Sequence, residues 1–165
     1  MQLKILYEDN HIIAVNKQSG HIVQGDETGD KPLSEWVKDY IKEKYEKPGE
    51  VFLGVALCIA RPVSGIALVA RTSKSLSRLN ELFKTKAIQK TYWAVVKNKP
   101  KKEEGTIVHY HQKDEKQRKA KLFDKEVAHS KKCVLHYKVL SHSDNYFLLE
   151  IQLETGRFHQ IRAQL

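Results

Sequence analysis

Three observations predict an α+β domain with a mixed, largely antiparallel sheet flanked by helices. Two short alternating runs open the chain, two helical patterns follow, and from Thr106 onward strand-like runs are separated by polar turns. Successive strands joined by short turns pair in the antiparallel sense. This order of elements is typical of the α+β class.

Length and composition favour one soluble-type domain with an anionic partner. The 165 residues can bury a core, and no repeat or linker divides them, so we expect a single domain over residues 1–165. The net charge of +9 favours a polyanion, either nucleic acid or an anionic membrane surface. No apolar run reaches about 18 residues, so we expect no membrane span.

The cysteines and the chain ends add two expectations. Cys58 and Cys133 do not form a disulfide framework, and the first residues lack a signal peptide, so we expect a cytoplasmic protein. The final "HQIRAQL" is amphipathic and stops without a helix-ending signal, which predicts a C-terminally truncated chain.

The first half contains two strands, a loop and a helix. "LKILYEDNHIIAVNK" predicts two strands around the turn pair Asp9-Asn10, and the Gly- and Asp-rich segment 21–32 predicts a loop. Ser34 is a plausible helix N-cap, and Pro48-Gly49 is expected to end that helix.

Two apolar runs then flank a tight turn. "VFLGVALCIA" is a continuous apolar run, typical of a strand buried on both faces, and "IALVART" predicts a second buried strand. The turn Arg61–Gly65 joins them. A helix from Lys74 to about Lys86 follows, capped by Thr72 or Ser73.

The second half is mostly strands. They are predicted in "KTYWAVVK", "TIVHYH", "KCVLHYKVL" and "YFLLEIQLE". For the basic stretch 112–132 we favour a solvated hairpin over a mobile excursion. The last stretch, "TGRFHQIRAQL", begins as a turn and continues as a helix.

Several residues could support metal or nucleophile chemistry. The spacing of His129, Cys133 and His136 could ligate zinc, with His109 and His111 nearby, but it lacks a paired C-x2-C, so we predict no metal and leave the set open. Cys58 lies in an apolar run, where core packing is the more frequent role than nucleophile. The sequence contains no nucleophile elbow, Walker A or dinucleotide fingerprint.

Four segments together resemble the RluA-type RNA pseudouridine synthases in order and spacing, over nearly the whole chain. "ILYEDNHIIAVNKQSG" is similar to their opening strand pair, with Gln18 in place of a proline. "ARPVSGIALVARTSKSLSRLNELF" is similar to their catalytic loop, strand and helix. "QKTYWAVV" and "LETGRFHQIRAQL" are similar to the strand with the active-site tyrosine and to the third motif.

The resemblance implies a single pseudouridine-synthase-like catalytic domain, here lacking its C-terminal part. It also implies a cofactor-free isomerisation of uridine in rRNA or tRNA, in which the base is detached, turned and rejoined through carbon. An aspartate is the family nucleophile. Its position falls on Ala60, the active-site tyrosine on Tyr92, and the arginine that pairs with the aspartate on Arg162.

The chain departs from the family pattern at the catalytic turn. Where the family has His-Arg-Leu-Asp-Arg-x-x-Ser-Gly, this chain has Leu57, Cys58, Ile59, Ala60, Arg61, Pro62, Val63, Ser64 and Gly65. A methyl group cannot attack carbon or carry a proton, so we expect an inactive form. If buried as in the family, Arg162 would lack its carboxylate and would need water, a phosphate or another acid.

Surviving positive charge still fits RNA. We expect RNA contacts from Lys17, Arg61, Arg157, His159 and Gln160, with the basic segments 97–102 and 113–121 clamping the backbone. We favour a monomer without membrane association. Two alternatives stay open: a non-catalytic RNA-binding module, and an engineered or truncated scaffold without an RNA function.

Overall fold

A computed structural model describes residues 3–117 and 119–165, which divide into two compact units at Ile88/Gln89. Each unit has a sheet of its own, whereas the sequence predicted a single sheet. Every strand pairing in the described residues is antiparallel. The α+β class is therefore confirmed, with two antiparallel sheets in place of one mixed sheet.

The first unit is a four-stranded sheet of order β1-β2-β4-β3 with two helices. Its elements are β1 (Ile5–Glu8), β2 (Ile12–Lys17), α1 (Leu33–Lys44), β3 (Gly54–Leu57), β4 (Gly65–Ala70) and α2 (Ser73–Lys84). The predicted turn at Asp9 is confirmed, because its carboxylate accepts hydrogen bonds from the amides of His11 and Ile12, both at 2.7 Å.

Strand β2 organises the core of the first unit. Its side chains alternate, so that Ile13, Val15 and Lys17 all point to the buried face. Val37 and Ile41 of α1 pack against that face, together with residues of β4. Lys17 therefore lies on the same side of the sheet as the core, close to the turn that joins β3 to β4.

Helix α1 begins differently from the prediction. Its N-cap is Pro32, which has no side-chain cap, and Ser34 lies inside the first turn. The amides of Leu33 and Ser34 donate to the carbonyls of Ile22 and Val23, at 2.8 and 3.1 Å. The Ser34 cap was wrong because neighbouring backbone satisfies the first helical donors. The helix also ends at Lys44, before Pro48-Gly49.

Helix α2 confirms the predicted cap at Thr72. The Thr72 hydroxyl accepts from the Ser75 amide at 3.1 Å, and the Ser75 hydroxyl accepts from the Thr72 amide at 3.2 Å. This reciprocal pair is a capping box. It satisfies donors at both ends of the first turn and fixes where the helix begins.

Strand β3 is shorter and more exposed than predicted. It covers only Gly54–Leu57 and lies at the sheet edge, where Gly54 is its one buried residue. A Cβ on Gly54 would stand 2.5 Å from the side chain of Leu76 in α2, so a larger residue there would force Leu76 to shift. The prediction of a strand buried on both faces was wrong, because a local apolar run does not specify which strand becomes the edge.

The second unit is a five-stranded sheet of order β5-β9-β8-β6-β7 followed by a short helix. Its elements are β5 (Thr91–Val96), β6 (Glu104–Asp114), β7 (Lys119–Phe123), β8 (Lys131–His142), β9 (Phe147–Leu153) and α3 (Gln160–Gln164). The pairing of β6 with β7 confirms the predicted hairpin. The core contains Leu135, Leu149 and Ile151. No helix in the described part of the chain has the length and apolar character needed to cross a membrane.

A buried carboxylate links β1 to α1 in the first unit. The Glu8 side chain, 10% exposed, accepts hydrogen bonds at 2.7 Å from Lys44, Tyr40 and Tyr45, and Arg71 lies at 3.7 Å. Burial alone would raise its pKa. The hydrogen bonds from Lys44, Tyr45 and Tyr40 outweigh that effect and lower the pKa of Glu8 to about 2.

We predict that Glu8 makes stability pH-dependent. Because its folded pKa lies below its unfolded value, its contribution is fully present above about pH 4.5 and is lost as the pH falls towards 2. Glu8→Gln should lower the free energy of unfolding at pH 7 by about 2–3 kcal/mol. It should also flatten the acid limb in urea titrations from pH 7 to 2. Glu81→Gln, on an exposed face of α2, is the control, and parallel acid limbs for wild type and Glu8→Gln would refute the assignment.

Candidate functional site

The turn between β3 and β4 contains Ala60, the position at which the resemblance places the nucleophile. Strand β3 ends at Leu57, and β4 begins at Gly65. The Val63 amide donates to the Ala60 carbonyl at 3.0 Å and closes the turn, while Gly65 adopts a φ of 139°, which favours glycine. The predicted tight turn is confirmed, and the Ala60 methyl group is exposed.

A segment after β2 holds this turn through its main chain. The Arg61 carbonyl accepts from Lys17 Nζ at 3.1 Å and from the Gly20 amide at 2.9 Å. The Pro62 carbonyl accepts from the Ser19 hydroxyl at 2.9 Å. We call residues 17–20 the clamp segment. It fixes the turn that contains Ala60 without touching the side chain of that residue.

Lys17 is completely buried, so its surroundings do not favour the predicted RNA contact, which stays a prediction. Its ammonium donates to the carbonyls of Gln18, His21 and Arg61, at 3.0, 2.7 and 3.1 Å. Burial lowers the pKa of Lys17, and the nearby Arg61 charge acts in the same direction. All three ammonium hydrogens are used, so none is left for a phosphate. The alternation of β2 was the sequence signal for this burial.

The Arg61 side chain points to an acidic loop. Its guanidinium donates to Asp30 at 2.7 Å, to the Thr28 hydroxyl at 2.7 Å and to Asp26 at 3.4 Å. Sequence reasoning assigned Arg61 to RNA and missed these partners, which are 31 to 35 positions away along the chain. The "GDETGD" acidic run was the available signal, but it does not identify which cation it meets.

The replacements Leu57 and Cys58 in the catalytic turn supply no activated nucleophile. Leu57 is half-buried at the end of β3. Desolvation raises the pKa of the Cys58 thiol, with the Lys17 ammonium acting in the opposite direction. Reactive cysteines require a lowered pKa, so this environment does not favour Cys58 as a nucleophile.

In the second unit, Gln160 holds the third motif together. Its Oε1 accepts from the Thr155 hydroxyl at 2.9 Å and the Arg157 amide at 3.0 Å. Its Nε2 donates to the Val134 carbonyl at 3.1 Å and to Gln164 Oε1 at 2.9 Å. Gln160 is 2% exposed and has an internal role in this segment, while its predicted RNA contact stays a prediction.

His159 and Arg157 lie on either side of Phe158. His159 has a left-handed φ of 50° and stacks on the Phe158 ring with centroids 3.8 Å apart. Burial, and secondarily the Arg162 charge, lowers the pKa of His159, so the imidazole is neutral at pH 7. Arg157 is half-buried and donates from Nε to the Lys132 carbonyl at 3.4 Å.

Arg162 and Tyr92 differ in exposure. Arg162 lies on the exposed side of α3 and makes no hydrogen bond or ion pair with the residues that the structure describes. The sequence left open whether this guanidinium is buried, and in the structure Arg162 is exposed. Tyr92 is half-buried on β5 against the core of the second unit, and burial raises the pKa of its phenol.

The basic segments lie on the surface of the second unit. Lys113 pairs with Glu115 at 2.6 Å, and Lys121 pairs with Asp114 at 3.0 Å. The lysines of segment 97–102 are exposed. Arg118, within the predicted segment 113–121, is outside the described residues.

His136 and Cys133 of the candidate zinc set are occupied by protein partners. His136 bonds to the Thr106 hydroxyl and to Glu154, each at 2.8 Å. Cys133 is buried, and its Sγ donates to the His109 carbonyl at 3.3 Å. Within residues 3–117 and 119–165, no three potential ligands form a metal-binding group.

Comparison with known proteins defines the family. The sequence model of the RNA pseudouridylate synthases matches residues 11–165. The ribosomal large subunit pseudouridine synthase C of Rickettsia bellii is 34% identical over 96% of this chain and 50% of that relative. An uncharacterized RNA pseudouridine synthase of Bacillus subtilis is 30% identical over the whole chain and 54% of the relative.

A solved structure has the same fold. Human RNA pseudouridylate synthase domain containing 4 superposes with a TM-score of 0.79 at 22% identity, over 97% of this chain and 62% of that one. The chain belongs to the RNA pseudouridylate synthase family, and the RluA-type resemblance is supported by these relatives. It spans about half the length of the curated relatives it matches.

We predict that Lys17 is required for the shape of the turn. Lys17→Met keeps the volume but removes the ammonium donor from the carbonyls of Gln18 and His21 and leaves Arg61 with the Gly20 amide alone, which should cost about 2–4 kcal/mol in urea denaturation. Hydrogen exchange at the Gly20 amide, which also bonds Arg61, should accelerate. Lys97→Met, at an exposed position, is the matched control. Equal stability and equal Gly20 exchange in the two variants would contradict the role of the clamp segment.

Proposed function

We propose that this chain binds RNA as a pseudouridine-synthase-fold protein but does not isomerise uridine. The observation that carries the proposal is Ala60 at the nucleophile position of a turn whose main chain is held in place. Three hydrogen bonds from the clamp segment hold this turn. The frame of a catalytic loop is thus kept, while the reactive group is replaced by a methyl group.

No side chain described at this turn offers a ready replacement for the nucleophile. A nucleophile needs a lone pair that a base or a lowered pKa makes available, and a methyl group has none. The carboxylates that reach the turn, Asp26 and Asp30, both bind Arg61. The raised pKa of Cys58 works against a thiolate.

RNA binding rests on charge and family. The net charge is +9, and Arg162 presents a solvated guanidinium beside the stacked pair Phe158 and His159. Exposed cationic side chains displace the counterions that are condensed on RNA phosphates, and aromatic rings stack with unpaired bases. The assignment of RNA and of its uridine as the substrate of the fold is also part of this proposal, because the chain covers only half the length of its relatives. We further propose a cofactor-free, cytoplasmic monomer, consistent with the free thiols of Cys58 and Cys133.

We predict binding without chemistry. Rejoining uracil through C5 expels the hydrogen of that carbon, so rRNA and tRNA transcripts labelled with tritium at uracil C5 report turnover. Wild type should release no tritium above the protein-free rate. Release by the wild type would refute inactivity. Release by the triple variant Leu57→His/Cys58→Arg/Ala60→Asp would show that the missing side chains alone prevent the reaction.

The same transcripts test the RNA-binding part. If about four phosphates are contacted on a single strand, raising salt from 50 to 200 mM should weaken binding about 50-fold. Arg162→Gln should reduce the slope of log affinity against log salt by about 0.7. Arg78→Gln, an exposed arginine on α2, is the matched control and should leave the slope unchanged. Absence of binding, or binding indifferent to salt, would favour the scaffold alternative.

A further inference from the structure

An acidic loop lies against the arginine of the catalytic turn. Residues 24–30, "QGDETGD", contain three acidic side chains and no cation, in a protein whose net charge is +9. The loop precedes α1 and delivers Asp26, Thr28 and Asp30 to the Arg61 guanidinium. We call residues 26–30 the acidic loop.

The oxygens of the acidic loop that contact Arg61 are also linked to one another. Asp26 accepts from the Thr28 amide at 2.9 Å and from the Thr28 hydroxyl. The same hydroxyl lies 3.3 Å from Asp30. These contacts hold two carboxylates and one hydroxyl in a single cluster. A guanidinium binds carboxylate and phosphate through the same planar fork, so the cluster offers Arg61 the kind of oxygens that a phosphate would offer.

The contact between Arg61 and the two aspartates is exposed to solvent, so the guanidinium can exchange these partners for another anion. The side chains of Arg61, Asp26 and Asp30 are 36%, 43% and 61% exposed. Ion pairs at this exposure are weak and are screened by salt, so an incoming anion can replace them. The main chain of Arg61 is held separately by the clamp segment, so the guanidinium can change partner while the turn keeps its shape.

We propose that Asp26 and Asp30 compete, within the molecule, with RNA phosphate for Arg61. They thereby set the affinity of the turn for RNA and the salt range over which it binds. The inference rests on the proposed RNA-binding function and adds the residues that limit it. The opposite role, in which the carboxylates orient Arg61 to receive a phosphate, predicts an effect of the opposite sign.

The test removes the two charges and uses inorganic phosphate as the probe. In Asp26→Asn/Asp30→Asn, the Arg61 Nε–H resonance should shift at about fivefold lower phosphate concentration than in wild type, since two exposed ion pairs no longer compete. Glu43→Gln/Glu81→Gln makes the same change in net charge at exposed helical positions and should leave that midpoint unchanged. An unchanged or higher midpoint in the Asn variant, or no shift of this resonance in any protein, overturns the proposal.

A measurement of RNA binding distinguishes the failure of this proposal from the failure of the function on which it rests. In 50 mM salt the Asn variant should bind a single-stranded RNA about fivefold more tightly than wild type, and the gain should vanish in an Arg61→Gln background. If the Asn variant shows the lower phosphate midpoint but no variant binds RNA, the competition for Arg61 is supported and the proposed function is refuted. RNA binding with no gain in the Asn variant would keep the function and refute the competition.

Discussion

The ammonium of Lys17, enclosed by three carbonyl oxygens, is the interaction on which the candidate site depends. It joins the end of β2 to the segment that follows and to the turn between β3 and β4. A buried charge is tolerated only when its hydrogen bonds are satisfied, and here every ammonium hydrogen has an acceptor. Removal of the charge would take the ammonium donor from two carbonyls in the loop after β2 and would weaken the hold on the Arg61 carbonyl, which keeps only the Gly20 amide. The position of Ala60 therefore follows from a residue that takes no part in chemistry.

Charge is distributed in this protein in two distinct ways. Some ion pairs serve the fold, as with the nearly buried Glu8, whose partners come from a helix and from the loop after it. Others are solvent-exposed and exchangeable, as between Arg61 and Asp30. The two classes of ion pair differ in burial. Water and salt screen the exposed pairs, so other anions compete with them more effectively than with buried pairs. The same attraction thus stabilises structure at one place and regulates access at another.

Local patterns in the sequence predicted the element order, the Thr72 cap and the family, because each is written within a few neighbouring residues. The burial of Lys17 was also present in the alternation of β2, but a lysine is ordinarily assigned to the surface. Gln160 was assigned to RNA from its place in the motif that resembles the family, although its amide finds all its partners inside the protein. The edge position of β3 and the contact of Arg61 with the acidic loop depend on distant segments, which no local pattern specifies.

The hydrogen bonds of the clamp segment end on the main-chain oxygens of Arg61 and Pro62, and the identity of residue 60 does not enter them. Folding and reactivity are therefore separable at this turn. The hydrogen bonds that hold the turn do not require a carboxylate at position 60. Selection that acts on folding alone cannot detect the loss of such a carboxylate, so a lineage can keep the architecture of this domain long after its chemistry has gone.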